Sequence, residues 1–145
     1  MPADDPLTFA ARAFTETLPY FRATAMSVDK VGDGRAELSM PWDARLVGDP
    51  ATGVLHGGVV FALMDTASGT AVMCHPDRPR STATLDLRVD YMRPATPGQR
   101  IVALADCYHV TRTVAFVRVT TCDDDRDRPV ATATGAFTFD RGDRT

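Results

Sequence analysis

The chain has 145 residues, of which 44% are hydrophobic and 24% charged, and carries a formal net charge of −3 at pH 7. Residues 1–145 fit a single globular domain that buries roughly 68–70% of its unfolded surface, which excludes a wholly disordered chain. Lys30 is the only lysine among the basic residues, and no basic stripe is present to hold nucleic acid.

The opening residues carry acids early and no long apolar run, unlike a secretory leader. No stretch reaches the ~18–20 apolar residues that span a bilayer. The expectation is a soluble, cytoplasmic protein with no membrane partner. Cys74, Cys107 and Cys122 are widely spaced with no CxxC pair, so they read as free thiols and no metal site is expected.

In chain order, residues 1–20 read as an N-terminal helix. Leu7, Ala10, Ala11, Phe14 and Leu18 recur at helical spacing, Pro6 suits a first turn, and Pro19 stops the helix. Met26 to Val31 and the alternating run Ala36, Leu38, Met40, Trp42 form a hairpin across Gly32 to Gly34. A loop rich in Asp, Gly and Pro spans Asp43 to Leu55. Residues 57–74 form the one long stretch without a turn signal, apolar on nearly every face, which is the mark of a buried central helix.

Strands follow: Thr82 to Tyr91, Gln99 to Val110, Thr113 to Thr121, and a last one with Ala131, Ala133, Gly135, Phe137 and Phe139 on one face. The run Asp123 to Asp127 lacks the glycine and terminal glutamate of a calcium loop and reads as a solvated hairpin tip. The string is helix, two strands, a buried helix and four strands. It predicts an α+β fold, a curved antiparallel sheet wrapped around one long central helix. The side of the helix left open calls for a second copy of the chain.

The chemistry lies in Gly53-Val54-Leu55-His56-Gly57-Gly58 and in Asp65. A carboxylate in mid-helix among apolar residues must be hydrogen-bonded, protonated or open to a cleft. A bonded structural aspartate and a functional one are both open readings. The first N–H groups of a helix lack intrahelical partners, and glycines there admit a ligand to the backbone, so His56-Gly57-Gly58 is a ready oxyanion site. Gly57 and Asp65 lie ~12 Å apart along the helix, too far to serve one reacting carbonyl in one chain. Two helices antiparallel across a two-fold axis bring each Gly57 to the other chain's Asp65.

His56-Gly57-Gly58, then six residues, then Asp65-Thr66-Ala67, then Thr84-Leu85-Asp86-Leu87-Arg88-Val89-Asp90-Tyr91-Met92-Arg93-Pro94 resembles the hotdog-fold acyl-CoA thioesterases of the phenylacetate-degradation type. The likeness runs from about Met26 to Phe139. It implies a homodimer whose sheet continues across both subunits, pairing again into a dimer of dimers, and an acyl-CoA substrate hydrolysed with no metal or redox cofactor. It assigns Gly57 as oxyanion donor, with Gly58 beside it in substrate binding, and Asp65 of the partner as general base or nucleophile. It places His56 at the thioester and Thr84 as the hydroxyl that orients the carboxylate or the water. Strict alternation puts Thr84 on the face of Asp86 and Arg88, so that role requires an irregular strand start. Arg93 and Arg112 fall at strand ends where relatives hold the coenzyme A phosphates. The loop before His56 lacks the Asn that some relatives use to hold water, and Gly69 replaces a hydroxyl that some carry one turn after the carboxylate. A non-catalytic acyl-CoA sensor on the same fold is the alternative reading.

Overall fold

The computed structural model describes residues 5–142, so the first four and last three residues of the expected domain, and the start of its expected N-terminal helix, lie outside them. Asp5 caps α1 (Pro6–Thr15) by accepting from the Leu7 and Thr8 N–H groups. Pro19 does not merely stop a helix: α1 has already ended, and Pro19 opens a second short one, α2 (Pro19–Ala23), at the position proline favours. The hairpin β1 (Ser27–Gly32) and β2 (Arg35–Met40) follows as expected. The Asp43–Leu55 loop contains a 3-10 turn (Ala44–Leu46) and a small hairpin, β3 (Val47–Asp49) with β4 (Val54–Leu55). Then come α3 (Gly57–Met73), β5 (Thr84–Tyr91), β6 (Ile101–Val110), β7 (Val114–Cys122) and β8 (Ala131–Thr138).

The six long strands form one antiparallel sheet in the order β1-β2-β6-β7-β8-β5. Helix α3 touches every strand of it, so the sheet curves around the helix as expected. Val59, Val60, Leu63, Met64, Ala67, Ala71 and Val72 of α3 are buried against Leu38, Ile101, Val117 and Phe137. Side chains such as Leu63 and Met64 contribute roughly 1.5–3 kcal/mol each by leaving water. The hydroxyls of Thr66, Ser68 and Thr70 donate to the carbonyls one turn back, each at 2.7 Å. This lets polar residues sit in a largely buried helix. The apolar-all-round pattern hides one open stripe at helical spacing: Phe61, Ala62, Asp65, Thr66, Gly69, Thr70 and Met73 are half-buried or exposed.

The two sheet edges are treated differently. At β1, the Arg12 side chain donates to the Val28 carbonyl at 2.8 Å, and the Thr8 hydroxyl accepts from the Val31 N–H at 3.4 Å. Helix α1 thus turns its polar face inward, burying Thr8 and Thr15 and leaving Leu7, Phe9 and Phe14 exposed. An edge strand needs hydrogen-bond partners for its backbone, and Arg12 and Thr8 supply them where Leu7 and Phe14 have none to give. At the other end, β5 pairs only with β8, and its second edge is open. Leu85 and Tyr91 on it, and Met92 just after it, are each more than half exposed.

The acidic loop between β7 and β8 also departs from expectation. Asp123 is buried and takes a two-pronged ion pair from Arg93, both contacts 2.7 Å, and accepts from the Thr96 N–H and hydroxyl. The Arg93 guanidinium beside it holds its carboxyl well below the usual carboxylate range. The pair ties the end of β5 to the β7–β8 loop. Replacing Asp123 by Ala removes a buried carboxylate and leaves the half-buried Arg93 without its counter-charge, and should lower unfolding stability by ~2–4 kcal/mol. Because the folded pKa is depressed, the stabilisation is full above the unfolded carboxylate pKa of ~3.9 and fades as pH falls below it. Urea melts of both proteins, at neutral pH and near the acid limit of folding, should show the gap between them narrowing in acid. A gap unchanged by acid would contradict the assignment.

Candidate active site

Asp65 stands on the open stripe of α3, half-buried. The Thr84 hydroxyl donates to its Oδ1 at 2.7 Å. This contact exists because the start of β5 is irregular. Thr84 pairs with Phe137 and Asp86 with Ala136, so Leu85 is an extra residue in a β-bulge. The bulge reverses the facing of Thr84, turning it to α3, and leaves Leu85 outside. Across from it, a Cβ on Gly135 would come within 2.5 Å of the Asp86 carbonyl. Only glycine lets the bulged backbone approach β8 so closely. The irregular start that Thr84 required is therefore present.

At the other end of the stripe His56 is the N-cap of α3, and its Nδ1 accepts from the Gly58 N–H at 2.8 Å. The His56 N–H goes to the Leu46 carbonyl, and the Val59 N–H to the His56 carbonyl. Of the four amides from His56 to Val59, Gly57 alone keeps an unpartnered N–H. This narrows the expected donor set. Gly58 offers no free amide to a substrate, since its N–H is held by His56, and it is glycine for a steric reason: a Cβ there would meet His56 Nδ1 at 2.8 Å. Because Nδ1 accepts, the neutral imidazole carries its proton on Nε2, a second donor beside Gly57.

Tyr91 reads in the sequence only as a strand residue, yet it supports this end of the site. Its phenol donates to the Gly57 carbonyl at 2.7 Å, and burial pushes its pKa up. Its place in the inward alternation of β5, seven residues after Thr84, is the signal that could have found it. Gly48 is a second residue that sequence reasoning passes over. A Cβ on it would meet the His56 backbone at 2.8 Å, so the β3–β4 hairpin packs against the cap only because position 48 is glycine.

Helix geometry keeps Gly57 and Asp65 ~12 Å apart along the axis, so one chain holds two half-sites. Both are braced by the same strand, Asp65 by Thr84 at its start and Gly57 by Tyr91 at its end.

The two expected phosphate ligands part ways. Arg93 is committed elsewhere: its five N–H groups are directed to Asp123, the Arg128 carbonyl and the Pro94 carbonyl. It is a structural arginine. The Arg112 guanidinium has no partner, and it rims a cavity of about 580 Å³ with Thr113 and Arg141. Burial raises the thiols of Cys74 and Cys107 to about 11, which leaves them protonated and poor nucleophiles. Among the described residues no cluster of three or more His, Cys, Asp or Glu could hold a metal ion, and no helix is long and apolar enough to cross a membrane.

A family model described as "Thioesterase superfamily" matches residues 52–130, which include both half-sites and β5. The medium/long-chain acyl-CoA thioesterase YigI of Salmonella typhimurium is 28% identical over 93% of this chain and 94% of its own. A crystal structure of a Pseudomonas aeruginosa protein superposes with a TM-score of 0.81 at 36% identity, covering 92% of this chain and 98% of that one. A mutant of the phenylacetic acid degradation protein PaaI from Thermus thermophilus gives 0.74 at 28% identity, covering 84% of this chain and 99% of that one. The sheet wrapped on its central helix is the hotdog fold of these proteins.

Proposed function

The chain belongs to the thioesterase superfamily, and from that premise we propose that two copies pair through β5 and hydrolyse acyl-CoA at sites shared between them. The observation that carries this reading is the bracing of both half-sites by one strand whose outer edge is open. Antiparallel pairing of β5 with the same strand of a second copy, centred on Leu87 and Arg88, sets Thr84 of one chain beside the partner's Tyr91. Asp65 then faces the partner's Gly57, and each dimer holds two equivalent sites.

In such a site the thioester oxygen accepts from the Gly57 N–H at the positive end of α3, with the His56 Nε2–H alongside. The Thr84 hydroxyl orients Asp65 by donating to its Oδ1. Asp65 takes a proton from water, and the hydroxide formed attacks the carbonyl carbon. The negative charge passes to the carbonyl oxygen at Gly57. Collapse of the intermediate breaks the carbon–sulfur bond, and the proton on Asp65 goes to the leaving thiolate. The products are a carboxylic acid and coenzyme A, and no metal or redox cofactor enters. Direct attack by Asp65 would instead form a mixed anhydride. After a single turnover in ¹⁸O-water, label in the Asp65 carboxyl marks the second route, through water attacking the aspartyl carbonyl of the anhydride.

Exposed Phe61, Leu85 and Met92 around the open edge suit an apolar acyl chain, and the Salmonella typhimurium relative is named for medium and long chains. Arg112, with its free guanidinium, is the better candidate of the two arginines for a coenzyme A phosphate.

Thiol release across an acyl-CoA panel tests the reading, and binding without turnover would favour the sensor alternative. Asp65→Asn should lower kcat by at least ~100-fold, the scale of a positioned base, with the fold retained. Gly57→Pro is the sharper variant. Proline suits the first helical position and a Cβ there makes only ordinary contacts with Tyr91 at 3.5–3.6 Å; the substitution removes the N–H and puts the ring Cδ where the thioester oxygen would sit. It should lower kcat by ~10²–10³, the scale of one oxyanion donor. Unchanged turnover in a folded Gly57→Pro protein would refute the donor role.

A further inference from the structure

Gly69 has no explanation within its own chain. It lies inside α3, where glycine is a poorer helix former than alanine. Its backbone is ordinary right-handed helix, so no strained turn demands it. A Cβ built on it meets nothing within 4 Å, so no close packing demands it either. Three other glycines near the site differ: Gly48, Gly58 and Gly135 each have a neighbour within 2.8 Å of the added carbon, while Gly57 is the proposed amide donor and has ordinary contacts at 3.5–3.6 Å.

Its position indicates what it serves. Gly69 is one turn after Asp65 on the open stripe. Side chains on a helix lean toward its N-terminus, so a side chain at 69 would lie over the turn that carries Asp65. Ser68, the other residue placed to cover that turn, is buried against the sheet and bonds the Met64 carbonyl. Asp65 Oδ1 is held by Thr84, and Oδ2 has no hydrogen bond. The carboxylate is thus held through one oxygen, and nothing lies within 4 Å of where a side chain at 69 would begin. The next large residue along the stripe is Met73, apolar and 39% exposed.

We infer that Gly69 is a specificity-determining residue: its missing side chain makes room beside Asp65 for the acyl carbon next to the scissile carbonyl, and sets how bulky that carbon can be. This rests on the thioesterase reading, and it adds a substrate class, acyl groups branched at that carbon. The apolar continuation to Met73 assigns the room to the acyl half of the thioester rather than to its polar thiol half.

The test compares the parent with Gly69→Ala and Gly69→Leu. The substrates are acyl-CoAs of equal carbon number, unbranched, methyl-branched or phenyl-bearing at the carbon beside the carbonyl. The parent should hydrolyse all classes. In Gly69→Ala the branched-to-unbranched ratio of kcat/KM should fall by ~10-fold, within the range for one methyl-sized change in a pocket. Gly69→Leu should lower it further. Neither variant should melt below the parent or change its molecular mass in solution. Three results would overturn the inference: a folded Gly69→Leu protein with an unaltered profile, a loss equal across all acyl groups, or a loss that follows dissociation of the dimer. A parent that hydrolyses none of the panel refutes the thioesterase reading alone. Gly69 is then judged by calorimetry with unbranched and branched ketone analogues of acyl-CoA. Weaker binding of the branched analogue in the variants only supports its role, and equal binding overturns it.

Discussion

A rigid helix cannot bring its own N-terminus to a side chain two turns along it, and the organisation of this molecule follows from that constraint. The amide that can hold an oxyanion and the carboxylate that can deprotonate water ride on the same helix, held apart by its rise. Strand β5 braces each of them at one of its ends. The strand is thus a ruler between the two groups, and in the proposed dimer a two-fold axis through its middle would exchange them. The opposite edge of the sheet is not available for the same pairing, because α1 lies on it and occupies backbone groups of β1 through Arg12 and Thr8. The sheet has one edge to give, and it is the edge that carries the site.

Each polar group near α3 is managed by a specific partner. Hydroxyls inside the helix bond back to their own carbonyls. The His56 imidazole satisfies the Gly58 amide and so leaves Gly57 as the one free backbone amide from His56 to Val59. Thr84 satisfies half of the Asp65 carboxylate and leaves the other oxygen free. A half-satisfied carboxylate and an unsatisfied amide are destabilising to the fold. The proposed reaction would use both, with the dense packing of Leu63, Met64, Ala67 and Val72 holding α3 in place behind them.

Much of this was legible in the sequence where a period or a spacing carried it. The alternation of β2 and β8, that of β5 from Asp86 onward, the unbroken run of α3 and the eight-residue step from Gly57 to Asp65 each translate directly into geometry. What was not legible depended on partners far along the chain. The apolar spacing of α1 points to Leu7 and Phe14 as the docked face, but the bare edge of β1 requires hydrogen-bond donors and acceptors, and the polar face goes in. Arg93 looks like a surface cation because nothing in its neighbourhood announces Asp123, thirty residues later. Gly58 looks equivalent to Gly57 until the His56 ring takes its amide. The bulge at Leu85 has no local sign at all, since its cause is Gly135 on the adjoining strand.

The claim on which the rest depends is that each working site draws its amide from one chain and its carboxylate from another, and complementation addresses it most directly. Gly57→Pro and Asp65→Asn proteins, each purified as an inactive homodimer, are mixed in equal amounts, unfolded together and refolded. If the sites are shared, a mixed dimer holds one site with both groups intact. Half of the dimers are mixed and half of their sites are whole, so about one quarter of the parent activity should return. If the mixture exchanges subunits and stays as inactive as its components, the two groups serve the same chain or no common site, and the account is wrong.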